Sequence, residues 1–111
     1  MSNVTAFIGR DYGYGEHTIE HVITTVNKAM QHNKIYGATF SQAIGIWQGE
    51  TEKSIRVEFL NVDEHAAHMT LKTVCRALMQ WEIIYTVNGI KNVTIKDNAE
   101  KRRAARMSRA A

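Results

Sequence analysis

The sequence predicts an α+β fold of the order β-α-β-β-α-β with one added C-terminal strand, an antiparallel sheet carrying two helices on one face. Three observations predict it. Apolar residues recur at helical spacing in two separate stretches, Ile19–Met30 and Ala67–Leu78. Around these lie short runs that alternate apolar with polar residues, the period-2 mark of strands buried on one side. Asn88-Gly89 joins the last two of those runs, and this dipeptide is the strongest short hairpin signal because a type I′ turn needs φ > 0 at both central residues.

In chain order, Val4–Ile8 is a short apolar strand that runs into Gly9-Arg10-Asp11-Tyr12-Gly13-Tyr14-Gly15, a loop rich in glycine and tyrosine. In the helix that follows, Ile19, Val22, Ile23, Val26 and Met30 share one face, while His17, Glu20, Thr24, Asn27 and Lys28 fall on others, and His32-Asn33-Lys34 closes it. A hairpin comes next, with strands Ile35–Gln48 and Glu52–Leu60 and a turn carrying Gly49-Glu50. Asp63 is a good N-cap for a second helix from Glu64 to Gln80, whose stripe is Ala67, Leu71, Val74, Cys75 and Leu78. Ile83–Val87 is a β-branched strand, and Ile90–Lys96 returns beside it with Ile90, Val93 and Ile95 apolar. This is the ferredoxin-like split β-α-β plan. Ile44, Ile46 and the aromatics are expected to make the uncovered sheet face too apolar to stay open, so a homo-oligomer is expected.

A chain of 111 residues with 44% hydrophobic content is one domain with one core. It has no apolar run long enough for a transmembrane helix and no signal-peptide layout at the N-terminus. The lone Cys75 suits a reducing cytoplasm. The net charge of +3 belongs to a tail: five of the 14 basic and two of the 11 acidic residues lie in 97–111, which leaves nine of each in 1–96. The expected division is therefore a domain of 1–96 and a basic tail of 97–111. A charge-balanced domain argues against a nucleic-acid binder, and five charges on a tail would give only weak, salt-sensitive binding.

Several constellations are candidates for chemistry. The Gly9–Gly15 loop ahead of a helix is either an anion cradle or a flexible connector. His17 with His21, and His65 with His68, have helical metal-ligand spacing, but neither pair has a third ligand nearby, so no metal site is expected. Cys75 sits on an apolar stripe as a core residue. Glu50 is a carboxylate at a turn, and Glu82 continues the apolar stripe of the second helix, where a carboxylate must be paired, protonated or bound to a cation. Two carboxylates with Tyr36 and Trp47 suit a pocket for a cationic, partly aromatic small molecule.

The ordered set of these features resembles the phage S-adenosylmethionine (SAM) lyases, also called SAM hydrolases. Tyr36-Gly37 precedes Glu50 by fourteen residues, Lys53-Ser54-Ile55-Arg56-Val57 follows, and Cys75 late in a helix leads to Glu82 before Ile83-Ile84-Tyr85. The match covers roughly residues 35–87, about half the chain, with a shorter hairpin turn and no counterpart for the basic tail. The resemblance implies a homotrimer with substrate between subunits, no cofactor and no metal. It implies cleavage of SAM to 5′-methylthioadenosine and homoserine lactone, depleting the host's methyl donor in the bacterial cytoplasm as a counter to restriction. On it Glu50 would hold the α-ammonium, Tyr36 and Gly37 would line the ligand, Trp47 would stack on adenine beside Gln48, and Glu82 would meet a ribose hydroxyl or brace the site. Two rivals stand beside it: a non-catalytic, PII-like regulator that binds an adenosine ligand between subunits with the same residues, and a ferredoxin-like RNA-binding domain that uses its sheet aromatics and the basic tail. The second lacks the Arg/Lys-Gly-aromatic signature.

Overall fold

The computed structural model describes residues 1–97; the basic tail from 98 onward lies outside the described residues. The elements are β1 (Ser2–Gly9), α1 (Ile19–His32), β2 (Thr39–Trp47), β3 (Glu50–Val62), α2 (Glu64–Ala77), β4 (Glu82–Val87) and β5 (Lys91–Lys96). All paired neighbours run antiparallel in the order β2-β3-β1-β4-β5. That is the expected split β-α-β sheet, with the added strand on the β4 edge.

Strand alternation sets the two faces. Val4, Ala6 and Ile8 of β1, Ile55, Val57 and Phe59 of β3, and Ile83, Tyr85 and Val87 of β4 are buried in one cluster with Val22, Val26 and Met30 of α1 and Leu71, Val74 and Cys75 of α2. Each fully buried aliphatic or aromatic side chain contributes about 1.5–3 kcal/mol, which is what holds both helices to this face. Both helix starts are capped, α2 as expected from Asp63: the Thr18 hydroxyl accepts from the His21 N–H at 3.1 Å, and the Asp63 carboxylate from the Ala66 N–H at 2.9 Å.

Both helices also stop in the same way. After α1, Lys34 takes φ 57°, its N–H donates to Gln31 O at 3.3 Å, and the Ile35 N–H donates to Met30 O at 3.0 Å. After α2, Met79 takes φ 55°, its N–H donates to Arg76 O at 3.2 Å, and the Gln80 N–H donates to Cys75 O at 2.9 Å. These are Schellman closures with a side-chain-bearing residue where glycine is usual. α2 therefore ends at Ala77, not at Gln80. An L-residue in this conformation costs about 1 kcal/mol. Lys34→Gly is expected to raise the unfolding free energy by up to about that amount, read as a higher urea midpoint at unchanged slope.

Three further expectations shift. The β2–β3 turn is Gln48-Gly49, with φ 51° and 80°, so Glu50 is already a strand residue paired with Trp47. Ile90 lies in the last turn, 88% exposed, and β5 begins at Lys91. Ile44 and Ile46 do not lie on the uncovered face: Phe40 pairs with Val57 and Ile44 with Lys53, so period-2 alternation puts both isoleucines on the helix side. They are 76% and 79% exposed because the hairpin outruns the rest of the sheet. β1 pairs with β3 only as far as Gly9 opposite Ser54, and residues 44–53 continue as a two-stranded arm. The uncovered face instead carries Phe7 opposite Ile84, 49% and 45% exposed, beside an Arg56–Glu58 ion pair of 2.9 Å.

Candidate functional site

The C-terminal end of β1 gathers the chemistry. Gly9 pairs with Ser54, and a side chain there would point to the uncovered face. A Cβ at Gly9 would collide with Glu52 Oε1 and lie 2.8 Å from Gln80 Oε1. Glycine thus leaves a gap in which a carboxylate and an amide oxygen approach each other over bare backbone.

Each partner is held there for a local reason. Glu52 lies on β3 just beyond the last β1 pair, at the root of the arm, where the Arg10 N–H donates to Lys53 O at 3.1 Å. Gln80 follows the reversal at Met79, which turns its side chain inward; it is 5% exposed. Its Nε2 donates to Asp11 O at 3.2 Å and to Leu78 O at 3.4 Å. Two carbonyl acceptors fix the amide's orientation and leave Oε1 facing Glu52.

The electrostatics follow from this crowding. Partial burial pushes the Glu52 carboxyl above its ordinary value of 4.5, and the Asp11 charge pushes it further. Among the described residues no donor or cation pairs with the Glu52 carboxylate, and none donates to Gln80 Oε1. Two acceptors without a donor are complementary to a group that is all donor and positively charged, a primary ammonium.

The Gly9–Gly15 loop is neither an anion cradle nor a slack connector. The Tyr12 N–H donates to Gly15 O at 3.2 Å, the Gly13 N–H to Asp11 Oδ1 at 2.8 Å, and the His17 N–H to Arg10 O at 2.7 Å, so these amides are spent internally. Arg10 Nε donates to His17 O at 2.9 Å, and Glu16 accepts ion pairs from Arg10 at 3.0 Å and Lys53 at 3.7 Å. The loop is a tied wall beside Glu52 and Gln80. One member of each histidine pair is hydrogen-bonded within the fold: His17 Nε2 meets Leu78 O at 2.8 Å, and His68 Nδ1 meets the Tyr85 hydroxyl at 2.7 Å.

The residues singled out from sequence separate into two groups. Trp47, Gln48 and Glu50 sit at the tip of the arm, Gln48 and Glu50 exposed. Glu82 does not continue a buried helical stripe, because the chain reverses at Met79 before reaching it. It opens β4, half-buried, opposite Lys96, and extending the Phe7–Ile84 register by two residues sets it level with Gly9. Tyr36 and Gly37 are at the other end of the sheet, in a groove of about 840 Å³ lined also by Lys34, Glu58, Leu60 and Asn61, with Tyr36 90% exposed. The register from Thr39 opposite Glu58 to Gly45 opposite Glu52 spans six residues, roughly 20 Å at about 3.3 Å each, so the two groups do not meet within one chain. Glu52 and Gln80 escape sequence reasoning: one looks like any solvated strand carboxylate, and the other like the end of a helix.

No protein-family model matches this chain, and no curated protein sequence matches it. Solved structures do. A phage SAM lyase in its apo state superposes with a TM-score of 0.74 at 19% identity, covering 86% of this chain and 89% of that one. A phage SAM lyase in complex with S-methyl-5′-thioadenosine superposes with a TM-score of 0.70 at 17% identity, covering 87% and 90%. The chain has the fold of the phage SAM lyases.

Proposed function

We propose that this protein is a SAM lyase whose ammonium receptor is the Glu52–Gln80 pair over Gly9. That pair is the observation that carries the reading, since SAM presents an α-ammonium, a sulfonium and a carboxylate on one short chain. The shared fold with SAM lyases, one of them holding S-methyl-5′-thioadenosine, supports the adenosine half of the ligand.

In this reading the substrate's own carboxylate attacks its γ-carbon. A C–O bond forms, the Cγ–S bond breaks, and its electron pair goes to sulfur, which leaves as a neutral thioether. The products are 5′-methylthioadenosine and homoserine lactone, with no net proton transfer. Nucleophile and leaving group are already joined, so the protein's task is to hold the chain in the cyclising conformation. An anion beside the sulfonium would stabilise the ground state, so the work of Glu52 is to anchor the ammonium and aim the carboxylate. The role that the family resemblance lays on Glu50 passes to Glu52, and Glu50 with Trp47 and Gln48 forms the outer rim at the arm tip. Glu82, level with Gly9, receives a ribose hydroxyl or braces the pair.

The assembly is a homotrimer in which the arm of one copy reaches the Tyr36–Gly37 groove of the next. Two observations support association between copies: the two halves of the site are too far apart within one chain, and an isolated two-stranded ribbon with exposed Ile44 and Ile46 is marginal in water. Acting in a bacterial host, such an enzyme would remove the methyl donor on which restriction-linked methylation depends. The test is to incubate the protein with SAM and EDTA and follow products by chromatography. Methylthioadenosine is expected to accumulate at the same rate with and without chelator; saturable binding with intact SAM would instead favour the adenosine-binding regulator.

A further inference from the structure

The loop between β1 and α1 holds an aromatic feature that the ammonium receptor leaves unused. Four rings follow one another: Tyr14 to Tyr12 at 6.0 Å between centroids, Tyr12 to His17 at 4.2 Å and nearly parallel at 18°, and His17 to His21 at 5.2 Å. The series is held at His17 and through the loop backbone. His17 Nε2 is anchored on Leu78 O, and the loop backbone is closed by the Tyr12–Gly15, Asp11–Gly13 and Arg10–His17 hydrogen bonds. Tyr14, at the outer end, is 43% exposed.

The loop is also mechanically part of the candidate site. Asp11, next to Tyr12, accepts from Gln80 Nε2 at 3.2 Å, and its charge is felt at Glu52. A ring series fixed in advance loses little entropy when another flat ring joins it, and a base gains from stacking on an aromatic side chain. Glycine at 13, with φ 90°, lets Tyr14 swing out beyond Tyr12 where a residue with a side chain would be strained.

We propose that Tyr14, backed by Tyr12 and His17, is the stacking platform for the purine of the adenosine ligand, and that this ring series sets the base preference of the site. This rests on the SAM-lyase reading, so its experiment separates the two. The probe is S-methyl-5′-thioadenosine, which has the base but no ammonium, titrated calorimetrically and by proton NMR into wild-type, Tyr14→Ala, Tyr14→Phe and Glu52→Gln proteins. The expected result is upfield-shifted adenine protons with the wild type, binding weakened on the order of tenfold or more in Tyr14→Ala, recovered in Tyr14→Phe, and unchanged in Glu52→Gln. Wild-type affinity in Tyr14→Ala would overturn the platform and leave the lyase reading standing. Absence of binding and of SAM cleavage by the wild type would overturn both.

Discussion

Glu52→Gln is expected to lower SAM turnover at least about a hundredfold while making the protein more stable at neutral pH. The activity loss follows from positioning: a neutral amide keeps the shape but not the charge that anchors an ammonium, and a misplacement of about 1 Å at a cyclising substrate costs on the order of a hundredfold. The gain in stability follows from linkage. Burial and then Asp11 hold the folded carboxyl above its ordinary value of 4.5, so the folded state binds this proton more tightly than the unfolded state does. The stabilisation from protonation is complete below the ordinary value and is lost as pH rises through the raised one. At neutral pH the wild type therefore carries an unpaired, partly desolvated carboxylate at its full cost, and the amide of the Glu52→Gln variant removes it. Thermal melts should show Glu52→Gln above wild type at pH 7 and level with it at about pH 3.5. A variant that loses activity without gaining stability at pH 7 would mean that Glu52 is paired in the working protein.

Mixing two inactive variants is expected to restore activity. Tyr36→Ala removes an exposed side chain at one end of the sheet, and Glu52→Gln disables the other end; neither touches the core. If each site takes Glu52 from one copy and Tyr36 from its neighbour, co-refolding equal amounts leaves roughly a quarter of the interfaces with both residues intact. Turnover near a quarter of wild type is expected from the mixture and almost none from either variant alone. Sites completed within one chain would leave the mixture inactive.

Much of this architecture is legible in the sequence because the strongest signals are local and periodic. Asn88-Gly89 forms the type I′ turn it implies, with φ 53° and 68°, and Asp63 caps its helix. The apolar stripe of α2 is buried as its spacing requires, and that of α1 is buried through Val22, Val26 and Met30, with Ile19 and Ile23 half-buried. The site is legible only in part. Counting helical turns past Leu78 points to Glu82 as the buried polar group, but the left-handed residue at Met79 ends the count and delivers Gln80 instead. No residue type at 79 announces this, since the packing of Gln80 and Leu78 behind Met79 offsets the cost of the conformation. Glu52 differs from Glu50 only in where β1 stops: the pairing of Gly9 with Ser54 places Glu52 against the missing side chain and leaves Glu50 beyond it, at the arm tip. Both facts concern distant segments meeting, which neither periodicity nor spacing encodes. The side taken by Ile44 and Ile46 escapes sequence reasoning for a related reason, because alternation gives relative sides but not how far the helices reach along the sheet.

If SAM is cleaved by its own carboxylate, held in place by Glu52 and Gln80, the oxygen of the new C–O bond comes from the substrate and not from water. The most direct measurement is to run the reaction in oxygen-18 water and analyse the four-carbon product by mass spectrometry from the first turnovers onward. Internal displacement gives homoserine lactone without label, and homoserine formed from it later carries oxygen-18 in its carboxylate alone. Label in the γ-hydroxyl would mean that water attacks the γ-carbon, and intact SAM would mean that the site binds without cleaving; either result contradicts the account.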